Sequence, residues 1–196
     1  KDKSCIMKNY KKNLELLTKN HVYSKKMEHD ACGVGVIVST EGKKSREIVE
    51  QGIEALKAVW HRGAVDADGK TGDGAGIHIE IPKDFFIEKI EVTGHDYDNA
   101  EICVGMIFLP RNDYSAQESC KTIVESELTK NNFSIYGWRQ VPVNPKILGQ
   151  KAFQTMPEII QVLFKSNDQN LLDKNLERKL YETRKKIEKK AFQLSL

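Results

Sequence analysis

The stretch Glu28-His29-Asp30-Ala31-Cys32-Gly33-Val34-Gly35-Val36-Ile37-Val38 decides how the chain is read. Two small residues, Ala31-Cys32, run directly into a short apolar segment. Cleavage between them would leave a thiol and a free amine on one residue at the end of a rigid element, the layout of an N-terminal nucleophile. An α-amino group with a pKa near ~8 can serve the side chain as base once it is liberated. A thiol with a pKa near ~8.5 needs less activation than a hydroxyl. The competing reading is structural, because free cysteine is among the most buried residue types and one at the head of an apolar strand is ordinarily a small core residue. The residues downstream of Cys32 separate the two.

Further along, the sequence carries Ile48-Val49-Glu50-Gln51-Gly52-Ile53-Glu54-Ala55-Leu56, then His61-Arg62-Gly63-Ala64, then Lys70-Thr71-Gly72-Asp73-Gly74-Ala75-Gly76-Ile77. Together with the Cys32 stretch, these blocks, in this order, resemble the start of the glutaminase domain found in the large subunit of glutamate synthases. Trp138-Arg139-Gln140-Val141-Pro142-Val143-Asn144, Leu148-Gly149 and Glu177-Arg178-Lys179-Leu180-Tyr181 extend the resemblance over nearly the whole chain after residue 27.

The resemblance implies an α+β, class II glutamine amidotransferase domain with an N-terminal-nucleophile (Ntn) hydrolase fold. That fold is a four-layer α/β/β/α sandwich, here incomplete. In such domains the precursor is trimmed so that the cysteine becomes residue one, and its thiolate attacks the side-chain amide of glutamine to give a glutamyl thioester and ammonia. Cys32 matches that nucleophile. Arg62 matches the arginine of the His-Arg-Gly motif, expected to brace the nucleophile's backbone and pocket, and Gly63 allows close approach. The implied division is a leader, residues 1–31, and the first part of the domain, residues 32–196. The Asn-Gly pair of the oxyanion hole, and the Arg and Asp that grip the substrate's α-carboxylate and α-amine, are expected beyond Leu196. On that expectation the fragment alone is inactive. The implied partners are glutamine, the rest of the large subunit and, as a candidate, a small NADPH-oxidising subunit. FMN and an iron-sulfur cluster (3Fe-4S) are implied for the full-length protein, with no binding motif for either in this segment. Another Ntn-type amidotransferase or amide hydrolase, or a non-catalytic unprocessed fragment, are the alternatives.

Periodicity sketches the elements. Residues 33–38 read as a buried strand closed by a turn at Glu41-Gly42. Ser45 is placed to cap a helix with Val49, Ile53, Leu56 and Trp60 along one stripe, ending near His61-Arg62-Gly63. Ile77, Ile79 and Ile81 alternate with His78 and Glu80 as a half-buried strand. Residues 102–109 read as a central strand, and Ser115-Ala116-Gln117-Glu118 as a capping box opening a helix to about Lys130, with Cys120, Ile123, Val124 and Leu128 inward. Strands are expected around residues 133–141 and 158–164, and a charged helix from about Leu171 with Leu176, Leu180 and Ile187 in line. Residues 1–27 read as a polar leader with a helical turn or two.

The 196 residues suffice for one globular domain. The first residue, Lys1, and the helical pattern running to the last suggest a fragment. A net charge of +3 from 31 basic and 28 acidic side chains is a mixed surface rather than a nucleic-acid footprint, despite the lysines crowding the leader. No apolar run approaches the ~20 residues of a membrane span. The 4 cysteines, at positions 5, 32, 103 and 120, form no close-spaced framework, which fits a reducing, cytoplasmic compartment. Asn132-Phe133-Ser134, formally a sequon, then has no role.

Other constellations are weaker. The loop from Gly63 to Thr71 imitates a phosphate-binding loop but has five residues between the glycines where four are needed, and Asp66 and Asp68 would repel phosphate. Its glycines, Gly69, Gly72, Gly74 and Gly76, instead let backbone fold tightly. Asp66 and Asp73 read as bonded to local backbone amides rather than as a catalytic pair. His29 or His61 could act as base in a papain-like arrangement without cleavage. A metal site of His29, Cys32 and His61 lacks a recognised ligand spacing.

Overall fold

The computed structural model describes residues 12, 15, 16, 19, 33–59, 64–72, 74–168 and 173–194, which fall into two compact units, Lys1–Arg62 and Gly63–Leu196. In the first unit, the described positions Lys12, Glu15, Leu16 and Lys19 are helical.

Helix α1 (Arg46–Ala58) begins where the sequence places it. Ser45 is extended, and its hydroxyl accepts a hydrogen bond from the Ile48 N–H at 3.3 Å, satisfying one of the free donors of the first turn. Ile48, Val49, Gly52, Ile53 and Leu56 form the half-buried stripe. The helix stops at Ala58 with Val59 as its cap, short of the expected His61-Arg62-Gly63, which like Trp60 lies outside the described residues. The turn at Glu41-Gly42 is present, with the Gly42 N–H bonded to Ser39 O at 3.2 Å and Gly42 at φ +67°. The strand expected over residues 33–38 is corrected. These residues form no ladder, and Val34 and Val36 are 91% and 80% exposed. A strand exists only through its pairing, and no described strand lies alongside this apolar segment.

The second unit runs α2 (Lys83–Val92), β1 (Cys103–Leu109), α3 (Tyr114–Lys130), β2 (Phe133–Gln140), a 3-10 turn (Pro145–Ile147), α4 (Gln150–Thr155), β3 (Glu158–Ser166) and α5 (Asp173–Gln193). The strands make one antiparallel sheet in the order β1-β3-β2. The α+β expectation is met by this mixture of helices and an antiparallel sheet. The central strand is β3, however, and residues 103–109 form an edge rather than the expected centre. The alternating Ile77, Ile79 and Ile81 also form no strand, for the same want of a ladder.

Alternation along β3 builds two cores. Val162 and Phe164 point to one face, where they meet Cys103, Val124, Leu128, Phe133 and Leu176 beneath α3 and α5. Leu163 points to the other, against Phe86 and Ile90 of α2 with Ile102 and Tyr136. The α5 line is as expected, with Leu180 and Ile187 packed on the first cluster. In β2 the pairing jumps from Ile135 with Phe164 to Gly137 with Leu163. Tyr136 is therefore the extra residue of a bulge. The bulge switches the phase of the strand, so Trp138 rejoins the face of Phe133 and Ile135 while Tyr136 is buried on the α2 side. Gly137 sits at φ +154°, and a Cβ there would meet Thr93 Cγ2 at 2.8 Å.

The start of α3 differs from the expected capping box. Asp113 is the cap, its carboxylate accepting from Ala116 N–H at 2.9 Å. Ser115 lies inside the first turn, because the helix already begins at Tyr114, and a residue within the helix comes too late to cap it. Past its end, Asn132 takes φ +63°, Phe133 is buried, and Ser134 Oγ donates to Asn167 Oδ1 at 2.6 Å. The sequon thus runs from the turn after α3 into β2.

Candidate functional site

Cys32, Arg62 and Gly63, the residues to which the resemblance assigns the chemistry, lie outside the described residues, as do His29, His61 and Asp73. The described part of this region is the loop immediately after Gly63.

Residues 64–72 fold into a narrow hairpin. Val65 bridges Gly72, the Asp66 N–H donates to Thr71 O at 2.7 Å, and the Gly69 N–H donates to Asp66 O at 2.9 Å. Gly69 turns the tip at φ +68°, a conformation that favours glycine. A Cβ on Gly72 would lie 3.1 Å from Ala64 O, so a small residue lets the two arms close.

Asp68 organises the interior of this hairpin. Its Oδ1 accepts from the Lys70 N–H at 3.0 Å and the Thr71 N–H at 2.7 Å, and its Oδ2 accepts from Thr71 Oγ1 at 2.6 Å. These donors, the Thr71 hydroxyl foremost, hold the carboxyl far below the usual carboxylate range. Asp66 bonds the local Ala67 N–H at 2.6 Å, as expected for a carboxylate in such a loop. Its other oxygen makes an ion pair with Lys151 at 2.6 Å.

Both carboxylates thus reach the corner where α4 begins. Gly149, the residue before α4, has no side-chain cap of its own, and the Asp68 carboxylate comes up against it from a distant part of the chain. The approach is close enough that a Cβ on Gly149 would collide with Thr71 N and Oγ1 and lie 2.5 Å from Asp68 Oδ2. The structure therefore brings together two sequence blocks, the glycine-rich loop and Leu148-Gly149, whose partnership sequence reading missed. The available signal was a glycine outside any turn requiring positive φ.

Among the described residues the remaining thiols and histidines carry no comparable arrangement. Burial pushes the Cys103 thiol up to about 12, and half-buried Cys120 is raised for the same reason. Among the described residues no three His, Cys, Asp or Glu side chains cluster as metal ligands.

Residues 32–195 match the family model of the class-II glutamine amidotransferases, and the chain belongs to that family. It is 51% identical over 180 residues to the glutamate synthase [NADPH] large chain of Azospirillum brasilense, covering 92% of this chain and 12% of that protein. Ferredoxin-dependent glutamate synthases of Pyropia yezoensis and Arabidopsis thaliana are each 40% identical, over 89% and 83% of this chain and 11% and 10% of their own length. The chain spans about an eighth or less of these relatives.

Proposed function

We propose that this chain is the start of the glutamine-hydrolysing domain of a glutamate synthase large subunit, with residues 1–31 as a removable leader and residues 32–196 as the first part of the domain. The observation that carries the reading is the family match beginning at Cys32 itself, the residue whose exposure by cleavage would create nucleophile and base together.

In the proposed step the liberated α-amine of Cys32 takes the thiol proton, and the thiolate attacks the side-chain amide carbon of glutamine. The carbon–nitrogen bond breaks, the amine returns its proton to the leaving nitrogen, and ammonia departs from a γ-glutamyl thioester. Water then adds to the thioester, the carbon–sulfur bond breaks, and glutamate and the free thiol are released. Arg62 braces the pocket and Gly63 lets backbone approach the substrate. The ammonia would serve to convert 2-oxoglutarate to glutamate elsewhere in the large subunit.

FMN and an iron-sulfur cluster (3Fe-4S) would supply the electrons for that conversion. The described thiols do not fit such a cluster, since Cys103 is sealed in the sheet core and Cys120 lies on α3. No step on this chain runs through either group. The relative at 51% identity has NADPH in its name, which favours a small NADPH-oxidising subunit as a partner. A cytoplasmic location is part of the proposal, and no described helix is long and apolar enough to cross a membrane.

The finer fold, an Ntn-type α/β/β/α sandwich, is supported by the α2 face of the sheet. There Met106 and Phe108 of β1 are 49% and 64% exposed, an apolar area suited to a second sheet.

The test uses the full-length protein. N-terminal sequencing of the active form should begin Cys-Gly-Val-Gly, and Cys32→Ala should abolish ammonia release from glutamine while ammonia-dependent glutamate formation persists. An active enzyme retaining residues 1–31, or equal loss of both activities, refutes the reading.

A further inference from the structure

We infer that the half of the sheet face left open beside α2 is a docking surface for an apolar layer that carries a carboxylate opposite Arg139. The layer is supplied by the same large-subunit chain outside residues 1–196, so the inference rests on the function proposed above and deepens it by naming the partner's chemistry.

The strand register sets the side chains of this face in rows. Val104, Leu163 and Gly137 form the first, which α2 seals through Phe86 and Ile90. Met106, Gln161 and Arg139 form the next, and Phe108 and Ile159 the one beyond. There the cover stops. Met106, Phe108 and, in the first turn of α2, Phe85 are exposed, and neighbouring apolar side chains left in water mark an interaction surface. Strand β1 is also an edge without the usual protection. Its sequence, Cys-Val-Gly-Met-Ile-Phe-Leu, has no charge and no proline, whereas the β2 edge carries a bulge and Arg139.

Arg139 sets what the covering layer must bring. Its guanidinium lies over the Phe85 ring at 5.2 Å and donates one N–H to Gln161 Oε1 at 2.7 Å. Gln161 is buried but neutral, so these contacts orient the guanidinium without matching its charge. Among the described residues no carboxylate pairs with Arg139, and its fork has further donors to offer. Adjacent strands lie about 4.8 Å apart, which puts Arg139 about 10 Å from Met106, so a layer that covers Met106 and Phe108 reaches Arg139 as well. A wholly apolar layer would strand the charge out of water, and a carboxylate would hold it in a bidentate pair. A second copy of the same face brings another arginine and no acid, which argues against a symmetric dimer here. This chain covers 12% of the glutamate synthase large chain to which it is 51% identical, and the remainder of such a chain is long enough to furnish the layer.

The experiment uses the full-length holoenzyme carrying Met106→Cys, with thiol labelling of position 106 read by peptide mass spectrometry. Native labelling should be about 100-fold or more slower than labelling of the unfolded chain, as for a site that reacts only through rare opening. Adding Arg139→Met should speed it about 10- to 100-fold, the range for removing a hydrogen bond to a charged group, while Cys103 stays slow. Arg139→Lys keeps the charge but not the fork and should speed it less. In Arg139→Lys a zero-length carbodiimide should join the amine at position 139 to an Asp or Glu outside residues 1–196, in a product with the mass of one subunit. Fast native labelling of position 106, or labelling that Arg139→Met leaves unchanged, overturns the inference. So does equal acceleration at Cys103, since the fold rather than the face has then opened. A link to an acid within residues 1–196 or on a second copy, or no link at all, overturns it too. Failure of the underlying reading is visible separately, because Cys32→Ala would then retain ammonia release from glutamine.

Discussion

Asp98→Asn tests how much the buried bulge of β2 depends on a charge. Asp98 accepts from the Tyr136 hydroxyl at 2.6 Å and pairs through its other oxygen with the Lys165 ammonium. Lys165 chiefly, and then Tyr136, hold the Asp98 carboxyl down at about 2 against its ordinary 3.8. Taken in full, a displacement of that size corresponds to ~2.4 kcal/mol. The Asp98 side chain is 47% exposed, and solvent screening reduces the expected stabilisation to about 1 kcal/mol. Because the folded-state pKa is depressed, this stability is present above the unfolded carboxyl's titration near pH 4 and is lost as the pH falls through 4 toward 2. Denaturant unfolding followed by circular dichroism, at pH values from 7 down to 2, should show Asp98→Asn destabilised by ~1 kcal/mol at pH 7 and indistinguishable from wild type near pH 2. A difference that is the same at both ends, or absent throughout, refutes the argument. At the alkaline end, burial and the Asp98 carboxylate raise the Tyr136 hydroxyl above its ordinary 10. The stability this proton contributes is present below pH 10 and is lost as the pH climbs past it.

Leu163 is fully buried between the central strand and α2, and Leu163→Ala should cost about 2–5 kcal/mol in denaturant unfolding; a loss under 1 kcal/mol would mean that α2 does not cover Leu163. Cys103 should stay unmodified when the native protein is treated with a thiol reagent at pH 8 and become reactive on unfolding, as peptide mass spectrometry will show; native labelling would contradict its burial and its raised pKa.

Helices α1, α3 and α5 were legible because each carries its own evidence: a cap at Ser45, and apolar stripes at Ile123, Val124 and Leu128 or at Leu176, Leu180 and Ile187, which a helix presents on one face regardless of distant residues. Helix α2 was not, since Pro82 offers no side-chain cap and the run Phe85-Phe86-Ile87 obscures the Phe86–Ile90 spacing that marks its buried side. Strands depend on non-local partners. Residues 33–38 and the isoleucines at 77, 79 and 81 have the composition of strands, yet composition names a preference and pairing decides the outcome. The same non-locality hid Asp68. Its neighbours suggested a local turn, and nothing in the loop's own sequence announces Gly149 or Lys151.

The sheet order has a consequence for how the chain acquires its structure. Both edges, β1 and β2, precede the strand that joins them: Cys103 must wait for Phe164, and Phe133 for Ser166. As the polypeptide emerges from the ribosome, the first two strands have hydrophobic faces and open hydrogen-bonding edges but no native neighbour until residues 158–166 appear. Helix α3 can form early on local bonds, whereas closure of the sheet is a late, long-range event of the kind that slows folding and exposes intermediates to aggregation. A change that delays or weakens β3 would thus show first as lower soluble yield during synthesis, before any defect in the finished molecule.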